Sequence, residues 1–286
     1  MTASDAAAEV RILEFRAKLW GPDAVRLGLP ALFPSPPPWT LCGGVAVEVA
    51  FDVHPDPAQS GAYWITEDGG NEIALGALED ALPALEWRVN SAAVAALGAR
   101  YLLLHAGVVA CDGQGIILPA VPNSRKTTLT AAAVATGFQY LSDEVAALPL
   151  GTCDLVPFAK SLFVKQGSRS LLGAWYPELA DAPPRRRVGG EPVWYLPPPA
   201  GAWPVAPVPL RHIVFPRYVP GAQAELAPIS RADALPLLLQ QSFNVRSLGA
   251  LGIGAVVALL RGATCHTLTV DHLAPAVALL QQLLEA

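Results

Sequence analysis

Ile116-Ile117-Leu118-Pro119-Ala120-Val121-Pro122-Asn123-Ser124-Arg125-Lys126-Thr127-Thr128-Leu129 runs from an apolar strand through a short turn into a helix start. That order is the one a phosphate-binding loop (P-loop) requires. The turn's backbone N–H groups face the anion, a lysine reaches the phosphates, and the next hydroxyl helps bind Mg²⁺. Lys126 and Thr127 supply those two side chains. The places where such a loop usually carries glycine hold Ala120, Asn123 and Arg125, and Pro122 removes a donor. Of the three, only Asn123 is at ease with positive φ. Arg125 either swings outward, where it can pair with a phosphate, or folds inward and fills the cavity. Asn123, Ser124, Arg125, Lys126, Thr127 and Thr128 are therefore the nucleotide-binding candidates. Lys126-Thr127 also has the form of an ordinary helix start.

Upstream, Tyr101 to Ala110 and Gly115 to Leu118 read as two strands joined by the tight turn Asp112-Gly113-Gln114-Gly115. His105 lies within the first of them, where a lone histidine is commonly a satisfied core residue. Downstream, the helix Lys126 to Thr136 ends at Gly137, and the strand Phe138 to Leu141 leads to Ser142-Asp143-Glu144. Val145 to Leu148 continues apolar, so the acidic pair sits between two strand-like pieces. A phosphoryl-transfer enzyme places a metal-binding acid and a base at such a strand end, and solvated turns also carry acidic pairs there.

The first hundred residues read as a small β-rich module. Val45 to Phe51 is a strand candidate, and Tyr63 to Ile65 with Ile73 to Leu75 forms a hairpin across Glu67 to Asn71. Leu78 to Ala99 has apolar residues at helical intervals. From Phe158 to Tyr195 the chain carries scattered basic residues, including Arg185-Arg186-Arg187, and Pro197 to Pro199 marks a loop. Leu210 to Phe215 resumes as a strand, and Arg231 to Ala286 reads as mostly helical, with Leu248 to Leu260 as a core helix.

With 286 residues, 52% hydrophobic and 15% charged, the chain can bury a large core, and its net charge of −5 offers no field to hold a polyanion. Nucleic acid is excluded as a main partner on that ground. The longest apolar run falls short of the ~20 residues a membrane span needs, so no membrane is expected. The four cysteines, Cys42, Cys111, Cys153 and Cys265, lack paired spacing and read as reduced, buried thiols. The start of the chain lacks the basic-then-apolar pattern of a signal peptide, which makes cytoplasmic residence the expectation.

Leu104-His105-Ala106-Gly107-Val108-Val109, the loop Ala120 to Thr128, and Tyr140 to Glu144 together resemble three ordered motifs of the HPr kinase/phosphorylase family, in its branch of HPr-kinase-related peptide-tailoring proteins. Val156 to Lys160 and Phe215 to Tyr218 extend the likeness, which covers roughly residues 80 to 286. The resemblance implies an α/β fold akin to phosphoenolpyruvate carboxykinase, a P-loop mixed sheet flanked by helices. Residues 1–78 would be the β-rich N-terminal module and 79–286 the P-loop domain with its helical end. It implies ATP and Mg²⁺ as cofactors and phosphorylation of a peptide or protein hydroxyl. By motif match, Lys126 and Thr127 would hold phosphate and Mg²⁺, Asp143 would be the base, Glu144 would assist the metal or hydroxyl, and His105 would support the acidic site. A peptide or protein substrate, a small peptide-recognition chaperone and a homo-oligomeric state are the implied partners. The alternative is a kinase fold that has lost catalysis and serves as a binding or scaffold subunit of a peptide-modifying complex, a reading favoured by Ala120, Pro122 and Arg125.

Overall fold

The computed structural model describes residues 7–37, 39, 47–121, 124–187 and 190–285. The chain is α/β, with mixed sheets flanked by helices, and it divides into two compact units. Its first elements are β1 (Ala8–Ile12), β2 (Phe15–Trp20), α1 (Asp23–Leu32), β3 (Val47–Pro55), β4 (Tyr63–Glu67), β5 (Asn71–Leu75) and α2 (Ala81–Leu97). Then come β6 (Tyr101–Cys111), β7 (Gln114–Pro119), α3 (Lys126–Ala135), β8 (Gln139–Ser142), β9 (Val145–Pro149) and β10 (Asp154–Leu155). The middle of the chain holds β11 (Leu162–Lys165), α4 (Gln166–Leu172), β12 (Arg185–Arg186) and β13 (Pro192–Leu196). The last stretch is β14 (Val208–Tyr218), β15 (Glu225–Pro228), α5 (Arg231–Gln240), α6 (Val245–Leu248), α7 (Ala250–Gly262), β16 (Thr264–Val270) and α8 (Leu273–Glu285).

One unit comprises residues 1–97, 159–166 and 181–197. Its five-stranded sheet runs β1-β2-β3-β4-β5, antiparallel except where β2 meets β3. β2 alternates buried Phe15, Ala17 and Leu19 with half-buried Arg16, Lys18 and Trp20, the period of a strand with one face on a core. The stretch of scattered basic residues from Phe158 to Tyr195, for which no strand was expected, supplies a second sheet here, β11-β13-β12. The same unit holds a buried ion pair, Lys160 Nζ to Glu86 Oε1 at 3.4 Å, with Asn90 donating to the same carboxylate at 2.6 Å.

The other unit comprises residues 98–158, 167–180 and 198–286. Its sheet runs β15-β16-β14-β7-β6-β8, with β9 continuing beyond β8 along β6 and β10 on β14. β7, β14 and β16 are parallel neighbours, whereas β6 and β15 run antiparallel to theirs. Residues 231–285 are mostly helical, as expected, with one strand, β16, among the helices. Its sequence Thr264-Cys-His-Thr-Leu-Thr-Val270 alternates with period two and is rich in β-branched residues, a signal overshadowed by the apolar helices on either side. The expected core helix over 248–260 is instead two helices that break at Gly249, held at φ +57°. Leu251 and Ile253 of α7 are exposed while Val256, Leu259 and Leu260 are buried. No helix among the described residues is long and apolar enough to cross a membrane. Cys265 is buried, Cys111 and Cys153 are only half-buried, and Cys42 lies outside the described residues.

Period two on β6 sorts the unit into two layers. Leu102, Leu104, Ala106, Val108 and Ala110 belong to a core with Leu238 of α5 and Val256 and Leu259 of α7. The odd-numbered residues face α3: a Cβ at Gly107 would overlap Thr130 Oγ1 and lie 3.3 Å from Lys126 Cγ. His105 is two residues away on that same face.

Candidate functional site

The site forms where β7 leaves the sheet. β7 pairs with β6 from Cys111 back to Ala106 and stops at Pro119. Beyond that point the segment Gln241–Phe243 takes over the edge: His105 N–H donates to Gln241 O at 2.6 Å, and Phe243 N–H donates to Leu103 O at 3.0 Å. The gap between the departing turn and the arriving segment is a cleft of ≈ 500 Å³, lined by His105, Val121, Glu144 and Gln240–Phe243. Asn244 clamps the segment in place. Its side-chain amide donates to Gly98 O at 2.8 Å and Tyr101 O at 2.7 Å, and its carbonyl accepts from Leu103 N–H at 3.0 Å.

On the turn side, Ala120 is buried and Val121 exposed, while Pro122 and the candidate Asn123 lie outside the described residues. Ser124 is buried, and its Oγ has no hydrogen-bond partner. Arg125 holds φ +65° and ψ +20°, the left-handed conformation that glycine adopts without cost, and stands as the N-cap of α3 with no side-chain cap. Its guanidinium carbon lies 3.7 Å from the ring centre of Tyr218, at the end of β14. α3 then begins with Lys126, which is buried, and Thr127, which is half-buried. Thr128 turns into the protein and donates its hydroxyl to Ser168 Oγ at 2.7 Å.

The acidic pair sits in a bend where the ladder on β6 passes from β8 to β9. Val108 pairs with Ser142 of β8, His105 pairs with Val145 of β9, and Asp143 and Glu144 fall between without a change of register, with Ala106 N–H donating to Glu144 O at 3.0 Å. The bend is stapled by Ser142, whose Oγ accepts from the N–H groups of Glu144 at 3.2 Å and Val145 at 3.0 Å. Asp143 is 1% exposed and accepts from the Tyr140 hydroxyl at 3.3 Å; Glu144 is half-buried and lines the cleft.

His105 senses all of these groups. Burial lowers its pKa most, and the Lys126 ammonium lowers it further, against the opposing pull of Glu144, a side-chain hydrogen bond with Gln241, and Asp143. The imidazole is therefore held neutral near pH 7, and Phe243 meets it edge-on with ring centres 5.9 Å apart. His105, Lys126, Asp143 and Glu144 thus come within electrostatic reach of one another, and Ser124 and Arg125 are adjacent in the turn. Asn244 and the Gln240–Phe243 wall carried no sequence signal, and Ser142 and Tyr218, though inside stretches that carry the resemblance, were given no role there, because their contribution depends on the pairing of strands distant along the chain. Among the described residues there is no group of three or more His, Cys, Asp or Glu side chains that could hold a metal ion. In comparisons with known proteins, no family model matches the chain and no curated protein matches it significantly.

Proposed function

We propose that the chain is an ATP-dependent phosphotransferase of the HPr-kinase-like kind, with a P-loop at Ala120 to Thr128, acting on a peptide or protein hydroxyl. The observation that carries the reading is the electrostatic meeting at His105 of Lys126 from the helix start with Asp143 and Glu144 from the bend between β8 and β9. A lysine at a helix N-terminus next to a pair of carboxylates is the charge arrangement phosphoryl transfer uses: cation and N–H groups for the phosphates, acids for the metal and the hydroxyl proton. Arg125 supports it as well, because its backbone keeps a glycine-like conformation and its side chain lies on Tyr218.

The residues fit Mg·ATP. Ser124 Oγ, buried without a partner beside an uncapped helix start, is a donor left over for a phosphate oxygen. Thr127 and Asp143 offer the hard oxygen ligands magnesium takes, and magnesium needs only one or two carboxylates when phosphates and water complete its shell, which leaves Glu144 to the acceptor hydroxyl. When bound, the ion neutralises charge on the phosphates. Lys126 and the first-turn N–H groups of α3 would orient the terminal phosphate, and the neutral His105, hydrogen-bonded to Gln241, stands within electrostatic reach of the acidic pair. The acceptor oxygen would attack phosphorus, its proton would pass to the acidic pair at Glu144, which lines the cleft beside the buried Asp143, the bond to the bridging oxygen would break, and ADP would leave.

Calorimetry with Mg·ATP tests the reading. Binding by the native chain that is abolished in Lys126→Ala supports it. No binding by the native chain, with binding gained in Arg125→Gly, overturns it in favour of a scaffold subunit.

A further inference from the structure

Resting on that reading, we infer that the cleft beneath Phe243 is the acceptor site, and that it selects a peptide hydroxyl flanked by an apolar or basic residue and rejects one flanked by an acidic residue. The geometry supplies both halves of the selection. Val121 and Phe243 stand at the cleft 57% and 47% exposed, two apolar surfaces left to water on either side of the polar floor. Solitary exposed apolar residues are ordinary, but two that border one concave, polar-floored site give an apolar side chain somewhere to bury. Between them, Glu144 carries the only full negative charge among the lining residues, and no lining residue is Lys or Arg; Lys126 is buried and does not line the cleft.

The occupant follows from the floor. Glu144 and His105 face the cleft, and His105 is neutral there, so both can accept a hydrogen bond from a hydroxyl. A group that handles the acceptor's proton must stand within hydrogen-bond reach of it, which places the hydroxyl in this cleft. Gln240 and Gln241 add neutral amides, suited to a peptide backbone. An acidic neighbour would lie against Glu144 with no cation lining the cleft to offset it, and like charges set side by side suppress binding.

The test uses the full chain with Mg·ADP and three synthetic peptides, each a central serine in a glycine-alanine frame with leucine, lysine or aspartate next to it. Retention is read by equilibrium dialysis, and phosphate transfer from Mg·ATP is read separately by mass spectrometry. The leucine and lysine peptides should be retained about tenfold better than the aspartate peptide, and Phe243→Ala should erase the leucine peptide's advantage. Equal retention of all three, or retention of none, overturns the inference, as does a loss of ADP binding in Phe243→Ala, which would assign the cleft to the nucleotide. Ordered retention without transfer leaves the acceptor cleft standing as a peptide site and defeats the phosphotransferase reading. Transfer without order does the reverse.

Discussion

The guanidinium carbon of Arg125 lies 3.7 Å from the ring centre of Tyr218 while the backbone of Arg125 is held at φ +65°. Two opposing contributions meet in one residue. A left-handed non-glycine costs roughly 1 kcal/mol, and a cation over an aromatic face returns ~1 kcal/mol. Arg125→Gly loses the stack and relieves the strain, so its melting temperature should stay near that of the native chain. Arg125→Ala loses the stack and keeps the strain, and should be the less stable of the two by about 1 kcal/mol in urea titration. Equal stability of the two variants would show that the turn is not held left-handed in solution.

Ser142 Oγ is the acceptor for two successive N–H groups of the bend between β8 and β9, those of Glu144 and Val145. Ser142→Ala leaves these donors without that partner, and a cost of ~2 kcal/mol is expected from chemical denaturation. Because the bend presents the acidic pair, any phosphotransfer should fall further than stability alone explains.

Asn244 spends three hydrogen bonds on Gly98, Tyr101 and Leu103. Asn244→Ala should destabilise by about 3 kcal/mol, and hydrogen exchange at Gln241–Phe243 should quicken more than at β7. Uniform acceleration across the sheet would mean that the segment is not a locally clamped wall.

Gly107 lies beneath Lys126 and Thr130, and an added methyl would collide with the Thr130 hydroxyl. Gly107→Ala should cost ~1–3 kcal/mol by overpacking, and Thr130→Ala in the same chain should recover most of it. Failure of that rescue would point to backbone rather than side-chain crowding.

His105 and His212 both have pKa values lowered by burial, with Lys126 second for His105, and His266 and Arg211 next for His212. A histidine whose folded pKa is depressed takes up its proton more readily when unfolded. Stability is therefore full above the unfolded value of about 6.5 and is lost as pH falls below it toward the folded values. His212 adds a structural reason, since its Nδ1 is engaged with Thr264 at 2.9 Å and its Nε2 is buried without a partner. A melting temperature that declines below pH 6.5, and declines less in His212→Gln, is the expected result; a flat profile contradicts it.

Much of the central sheet was legible because its signals are local. The run Tyr101 to Leu118 carries its own hairpin turn, and Lys126 to Ala135 its own helix start, so β6, β7 and α3 follow from neighbours in the chain. β16 and the sheet β11-β13-β12 were missed because their stability comes from partners far along the chain, and weak local patterns do not announce them. Among the candidates, Thr128 turned out to be committed to Ser168, a contact across forty residues that spacing does not encode.

The turn from Ala120 to Thr128 shows where the division falls. Its order of strand, turn, lysine and helix is written in adjacent residues, since backbone sterics and hydrophobic period act over a few positions. Whether Arg125 would fill the turn or leave it was undetermined at that level, because both orientations suit the local backbone. Tyr218, delivered by a parallel strand ninety-three residues later in the chain, decided it. The meeting of His105, Lys126 and the acidic pair was decided in the same way, by the register of β6 against β8 and β9 and the bend between those two strands. Side-chain charges act through space over several ångströms, so only the folded sheet brings them together.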